Sequence, residues 1–255
     1  MISLKSKNEG FSSVYRVKTQ NYNKIVKIYK QIAFTHFFRE DLKKSKEFYN
    51  SINYLKITPF HKILSKHIIE IDEINSEKSL NKKEFFSNKN LLDQFKAQIG
   101  LMSEIKQNLI NKKLIDEIKS YLDVINSNRI IKINIKKLEN YINKYPQNKI
   151  CHGDIHFQNL IISKKKLLLI DWDYIIKSSL GYDIAMFSYL EKFNKREKKF
   201  LSQIFKISIA EIEHYTPICE LLDYLYQNIL YKLNLIKNVD KSLINKNKNF
   251  ILNIL

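Results

Sequence analysis

Glycine and proline are scarce in this chain, with four of the first and three of the second among 255 residues. So few backbone breakers, beside many Lys, Glu, Leu and Ile, predict long helices over much of the length. Cysteine is rarer still. Cys151 and Cys219 stand far apart and lack metal-ligand spacing, so neither a disulfide framework nor a zinc site follows, and a reducing compartment suits the chain. No stretch approaches the roughly 20 apolar residues that span a membrane. The first ten residues, MISLKSKNEG, have no apolar core of signal-peptide length. The expectation is a soluble, cytoplasmic protein.

Acidic residues are outnumbered, 26 against 44 basic, for a formal charge of +18. Such a balance can mark an anionic partner. Here the lysines are scattered in short runs, such as Lys164–Lys166 and Lys198–Lys199, with no single basic stripe. Coding bias explains that pattern better. No helix-turn-helix, RNA-binding or zinc signature is present, so nucleic acid is not an expected partner. Hydrophobic residues make up 44%, enough for a sizeable core in one domain or two small lobes.

The first 75 residues differ from the rest. SSVYRVK (12–18) and KIVKIY (24–29) are short and rich in β-branched and aromatic residues, and they predict a hairpin. A helical pattern runs from about Thr35 to Leu55, with Phe38, Leu42, Tyr49 and Ile52 on one face, and Pro59 ends it. HIIEID (67–72) reads as another strand. Beyond residue 73 the pattern is mainly helical, with KSLNKKEFF (78–86) as loop. The helical pattern breaks at Ile150–Asp171, where a β-hairpin is expected around Lys164–Lys166. The clearest helix spans about Glu211 to Ile236. The expected division is 1–73 and 74–255.

The chemistry concentrates in CHGDIHFQN (151–159) and LIDWDY (169–174). An Asp and an Asn five residues apart on one loop can face the same point. Asp154 can accept a proton or orient a hydroxyl. The Asn159 carbonyl oxygen suits a hard cation such as Mg²⁺, and Asp171 adds a charged oxygen. Gly153 permits a backbone that a side chain would block. This is the set that phosphoryl transfer requires, and it parallels the kinase pattern H-R-D-x-x-x-x-N followed by a metal-binding Asp.

HGD-x-H-x-x-N, an apolar hairpin, IDWDY and then GYDIA (181–185) together resemble the aminoglycoside phosphotransferase and choline kinase superfamily. The resemblance covers nearly the whole chain and is strongest over 151–186. It implies an α+β, bilobal, protein-kinase-like fold with a small β-rich N-lobe and a larger, mainly helical C-lobe. It implies ATP as co-substrate, Mg²⁺, and transfer of the γ-phosphate to a small-molecule hydroxyl. By the same resemblance Asp154 is the catalytic base, and Asn159 and Asp171 are metal ligands joined by Asp173. His152, Gly153 and Asp183 support the catalytic loop. Gly10, Ser12 and Ser13 lie where a phosphate-covering loop belongs, although the glycine-rich consensus is missing. Lys27 stands at the phosphate-pairing lysine, with Glu47 favoured over Glu40 and Asp41 as its helix partner. Ile71 to Glu73 form the adenine hinge. Trp172 packs beneath the metal site or walls the acceptor pocket.

IDWDY is closest to the choline and thiamine kinase branch, so choline or ethanolamine is the first expected acceptor. Thiamine, and a non-catalytic nucleotide-binding member, are the alternatives. A cationic acceptor would use aromatic faces and a carboxylate. Tyr182, Tyr189, Tyr215, Tyr224 and Tyr226, with Glu220 and Asp223, are the candidates, and packing is the plainer role for each tyrosine. A protein kinase is disfavoured, because HRD, DFG and APE motifs are absent.

Overall fold

A computed structural model describes residues 5–9, 11–18, 23–35, 42–74, 80–126 and 134–238. Its elements run β1 (Lys5–Glu9), β2 (Ser12–Lys18), β3 (Asn23–Tyr29), α1 (Gln31–Thr35), α2 (Lys46–Leu55), β4 (His61–Ile63) and β5 (Ile68–Asp72). Then come α3 (Lys82–Ser87), α4 (Lys89–Met102), α5 (Leu114–Asn126), α6 (Ile135–Ile142), β6 (Lys149–Cys151), β7 (Leu160–Ser163) and β8 (Lys166–Leu169). The last are β9 (Ile176–Ser178), α7 (Leu180–Leu190), α8 (Lys195–Phe205) and α9 (Ile209–Lys232). The class is mixed α+β, strand-rich at the start and mainly helical afterwards. Among the described residues, no helix is long and apolar enough to cross a membrane.

The chain forms two compact units, interleaved in sequence. One holds the described residues within 1–35, 39–110 and 155–174, and the other those within 111–154 and 175–255. The single cut expected at residue 73 is therefore not how compactness divides the molecule.

The first unit is built on a five-stranded antiparallel sheet, ordered β1-β2-β3-β5-β4. The expected hairpin is β2–β3, with Val14 opposite Lys27. Strands β1 and β4 were not foreseen. β4 is only HKI, too short for alternation to register. Asn53 on α2 fixes it, accepting from the His61 N–H at 2.8 Å and donating to the His61 carbonyl at 2.7 Å. The helix expected over 35–55 is observed as α2 from Lys46, and Phe38 lies outside the described residues. The sequence pattern predicts loop over KSLNKKEFF, but α3 begins within it at Lys82 and runs to Ser87. Asn81 caps that helix by accepting from the Glu84 N–H at 3.0 Å. An Asn three residues before a Glu is a helix-start signal, and Phe85 closes the turn onto the core against Phe95 and Phe157.

The β7–β8 hairpin turns at Lys164 and Lys165, both at positive φ (48° and 62°). It is tied to α4 by two glutamines. Gln94 accepts from the Leu167 N–H at 2.7 Å, and Gln98 donates to the Leu167 carbonyl at 2.8 Å.

In the second unit, β6 pairs with β9, so the strands that lead into HGD and into SLGYD are hydrogen-bonded to each other. α7 is buried from Gly181 through Ser188 and packs on α9. The approach is close at Gly181. A Cβ there would lie 2.5 Å from the Glu211 side chain, which accepts from the Gly181 N–H and the Ser179 hydroxyl.

Candidate active site

In the first unit, Lys27, Asn159, Asp171 and Asp173 line one cavity of about 610 Å³. Two local features bring them there. Lys27 and Tyr29 are two apart on β3 and so share a face. Asn159 and Asp171 flank the β7–β8 hairpin, and the Ile170 N–H donates to the Asn159 carbonyl at 3.0 Å. The long gap between HGD-x-H-x-x-N and IDWDY is therefore the length of one hairpin. Asp171 itself sits at φ 61°, a left-handed conformation that is uncommon outside glycine and is enriched for Asp and Asn.

Lys27 is buried and its ammonium is held 2.7 Å from Asp173 Oδ2 and 2.8 Å from Asp171 Oδ1. Burial alone would lower its pKa, but the two carboxylates raise it above the ordinary lysine range, so it stays charged. The carboxylates differ. The Asp171 side chain is 31% exposed, whereas that of Asp173 is 5% exposed and takes a second hydrogen bond, from the Tyr29 hydroxyl to Oδ1. Tyr29 is buried, and Tyr49 of α2 is hydrogen-bonded to it.

Val14, Ile25, Ile69, Ile71, Ile161 and Ile170 also line the cavity, and they supply apolar walls suited to a flat heterocycle. His61 is buried beside them. Burial lowers its pKa to about 4, so the ring is neutral at physiological pH.

Glu47 is exposed on α2, and the carboxylates paired with Lys27 are those of Asp171 and Asp173 instead. Gly10, Glu40 and Asp41 lie outside the described residues. Ser12 is buried, and the β2 residue lining the cavity is Val14 rather than Ser12 or Ser13. Ile71 and Glu73 both line the cavity. Backbone N–H groups of the hinge are engaged within the protein, Asp72 to the Phe60 carbonyl at 2.9 Å and Glu73 to the Asn23 carbonyl at 3.2 Å. The Glu73 carboxylate is paired with Arg16. Trp172 is core: its indole N–H donates to Thr58 and to the Leu169 carbonyl, and its ring lies 5.8 Å from that of Phe48.

In the second unit, Asp183 is 1% exposed and braces the HGD turn. It accepts from the His152 N–H at 2.9 Å and from the Gly153 N–H at 2.8 Å. Gly153 has φ 80°, which explains the glycine. Burial raises the Asp183 pKa to about 7, against the two N–H donors, which pull it down. The Asp154 N–H donates to His152 Nδ1 at 3.3 Å, and the Asp154 side chain is half-buried. Among the tyrosines singled out for an acceptor, Tyr182 and Tyr215 are core, 6.1 Å apart edge to face. Tyr189 donates to Asp223 Oδ2 at 2.6 Å, and Gln227 holds the other oxygen at 3.0 Å.

Sequence reasoning passed over Tyr29, Tyr49 and His61. Tyr29 had a signal, since it lies two positions after Lys27 on the same strand. Tyr49 and His61 become part of the cavity only through the packing of α2 against β4.

Comparison with known proteins agrees with the motifs. Residues 107–205 match the model of the phosphotransferase enzyme family, APH. No curated protein sequence matches the chain. Its structure is similar to that of the choline kinase LicA from Streptococcus pneumoniae, at 17% identity and TM-score 0.76 over 97% of this chain and 91% of that one. LicA in complex with AMP matches at 18% identity and TM-score 0.70, over 97% and 89%. It is also similar to a Plasmodium vivax ethanolamine kinase, at 14% identity and TM-score 0.71 over 97% and 80%. A putative fructosamine-3-kinase from Haemophilus somnus follows at 17% and 0.63, over 100% and 92%. The resemblance to the aminoglycoside phosphotransferase and choline kinase superfamily is thus borne out, and the fold is that of protein-kinase-like phosphotransferases.

Proposed function

We propose that this chain is an ATP- and Mg²⁺-dependent phosphotransferase that moves the γ-phosphate to a hydroxyl of a small molecule, with choline or ethanolamine as the first candidate. The observation that carries the reading is the grouping of a buried, charged Lys27 with Asp171 and Asn159 on one cavity wall. Lys27 with its two carboxylates is a cluster of net charge −1, and its exposed member is a hard oxygen donor. Such a wall fits a divalent cation better than a bare anion. Asn159 and Asp171 would hold Mg²⁺, which when bound offsets the phosphate charge that builds up in transfer. Lys27 would pair with the nucleotide phosphates.

Asp154 accepts the proton of the acceptor hydroxyl as the new P–O bond forms and ADP leaves. Asp183 keeps that loop in shape through the His152 and Gly153 N–H groups. Residues 1–73 serve the nucleotide, and 74–255 carry the catalytic loop and the acceptor site. Because the Asp72 and Glu73 N–H groups are engaged, adenine would use hinge carbonyls or the Ile74 N–H. A soluble, cytoplasmic setting suits such an enzyme.

Thiamine is the alternative acceptor, and a non-catalytic nucleotide binder is the alternative role. The test is ADP release from Mg-ATP with choline, ethanolamine, thiamine and an aminoglycoside offered separately. A rate that rises with one acceptor and is lost in Asp154→Asn supports the kinase and names its substrate. Mg-ATP binding without any acceptor-dependent rate in a broad panel of alcohols would favour the non-catalytic role.

A further inference from the structure

In the expected arrangement a carboxylate on the helix after β3 holds the phosphate-pairing lysine. Here Glu47 of α2 is exposed, and α2 turns Tyr49 toward the β3 side chains instead. Lys27 is nonetheless held. Asp173 lies 2.7 Å away, is nearly fully buried, and has its other oxygen taken by the Tyr29 hydroxyl. The Lys27 ammonium also sits 5.4 Å from the Tyr29 ring centroid. Both oxygens of Asp173 are therefore committed within the protein. Asp171, a third exposed, is the member of the pair that opens to the cavity.

We infer that Asp173, pinned by Tyr29, is the positioning residue for Lys27, in the place of a helix glutamate, and that it is not a ligand of the cation. This revises the metal role that the IDWDY resemblance implied for Asp173, and it rests on the proposed nucleotide reading. The two carboxylates of IDWDY then divide the work: Asp171 serves the cation, and Asp173 keeps the lysine aimed. Tyr29 orients Asp173 in turn.

The test measures binding, so it does not depend on knowing the acceptor. ATP is titrated calorimetrically into the wild type, Asp173→Asn, Tyr29→Phe, Asp171→Asn, Lys27→Met and the Lys27→Met/Asp173→Asn double variant, once with EDTA and once with Mg²⁺. Each carboxylate variant leaves Lys27 one carboxylate, and Asn suits the φ of position 171, so folding is preserved. Asp173→Asn should weaken ATP roughly tenfold in both buffers, leaving the Mg²⁺ enhancement as in the wild type, and Tyr29→Phe should weaken it less in the same way. Asp171→Asn should lose the enhancement. The double variant should bind no worse than Lys27→Met. Loss of the Mg²⁺ enhancement in Asp173→Asn, or additive losses in the double variant, would overturn the inference while the nucleotide reading stands. A wild type that binds no ATP in either buffer removes both.

Discussion

Asp183 is a carboxyl with two backbone donors and almost no solvent, and its titration follows from that setting. Burial raises its pKa from the usual 3.8 to about 7. Between those values the folded chain keeps a proton that the unfolded chain has released. Its contribution to stability is therefore fullest below pH 4 and is lost as pH rises toward 7. Urea unfolding of the wild type and Asp183→Asn at pH 4.5 and pH 8 isolates this effect, because other groups cancel in the difference. The wild type's stability relative to the variant should fall by roughly 2–4 kcal/mol across that range. At the same scale, Asp154→Asn should cut kcat by about 10²–10⁴ with nucleotide affinity unchanged, whereas Asp171→Asn should abolish Mg²⁺-dependent turnover with the fold intact. Steady-state rates paired with calorimetry separate the two variants.

Elements deliver these residues by short connections that constrain sequence tightly. The α7–α9 contact leaves no space for a side chain at Gly181, where the Glu211 carboxylate already bridges Ser179 and the helix start. Gly181→Ala should cost about 1–3 kcal/mol of stability, read as a lower urea midpoint with unchanged slope. The β7–β8 hairpin, flanked by Asn159 and Asp171, was legible because its apolar runs are short and its lysine turn is polar. Helix α3 was missed because a six-residue helix has too few turns for apolar periodicity, and its only written signal was the Asn81 cap. Removing that cap with Asn81→Ala should cost about 1 kcal/mol.

For the whole molecule, the +18 charge is spread over the sequence, while the proposed chemistry uses residues of one cavity in the first unit and of one loop in the second. Ligand linkage then offers a global readout: Mg-ATP at about 100 times its Kd should stabilise the folded chain by ~2.7 kcal/mol. A thermal melt with Mg-ATP, compared with Mg-GTP, reports both the binding and the preferred base. The gain should shrink in Lys27→Met.

The sequence by itself determined the class of fold and singled out the candidate catalytic stretch, because both depend on local facts. A Gly beside an Asp, an Asn five residues after that Asp, and apolar runs around a lysine turn before IDWDY lie within one short stretch of the chain. Only the tertiary structure decided which carboxylate holds Lys27. That choice lies between α2 and a segment 144 residues or more away. It was settled by burial, by the reach of the lysine, and by a tyrosine on its own strand, none of which leaves a periodic mark in the sequence. Contact between such distant groups is a property of packing, where desolvated charges must find partners. Lys27 found them in Asp171 and Asp173.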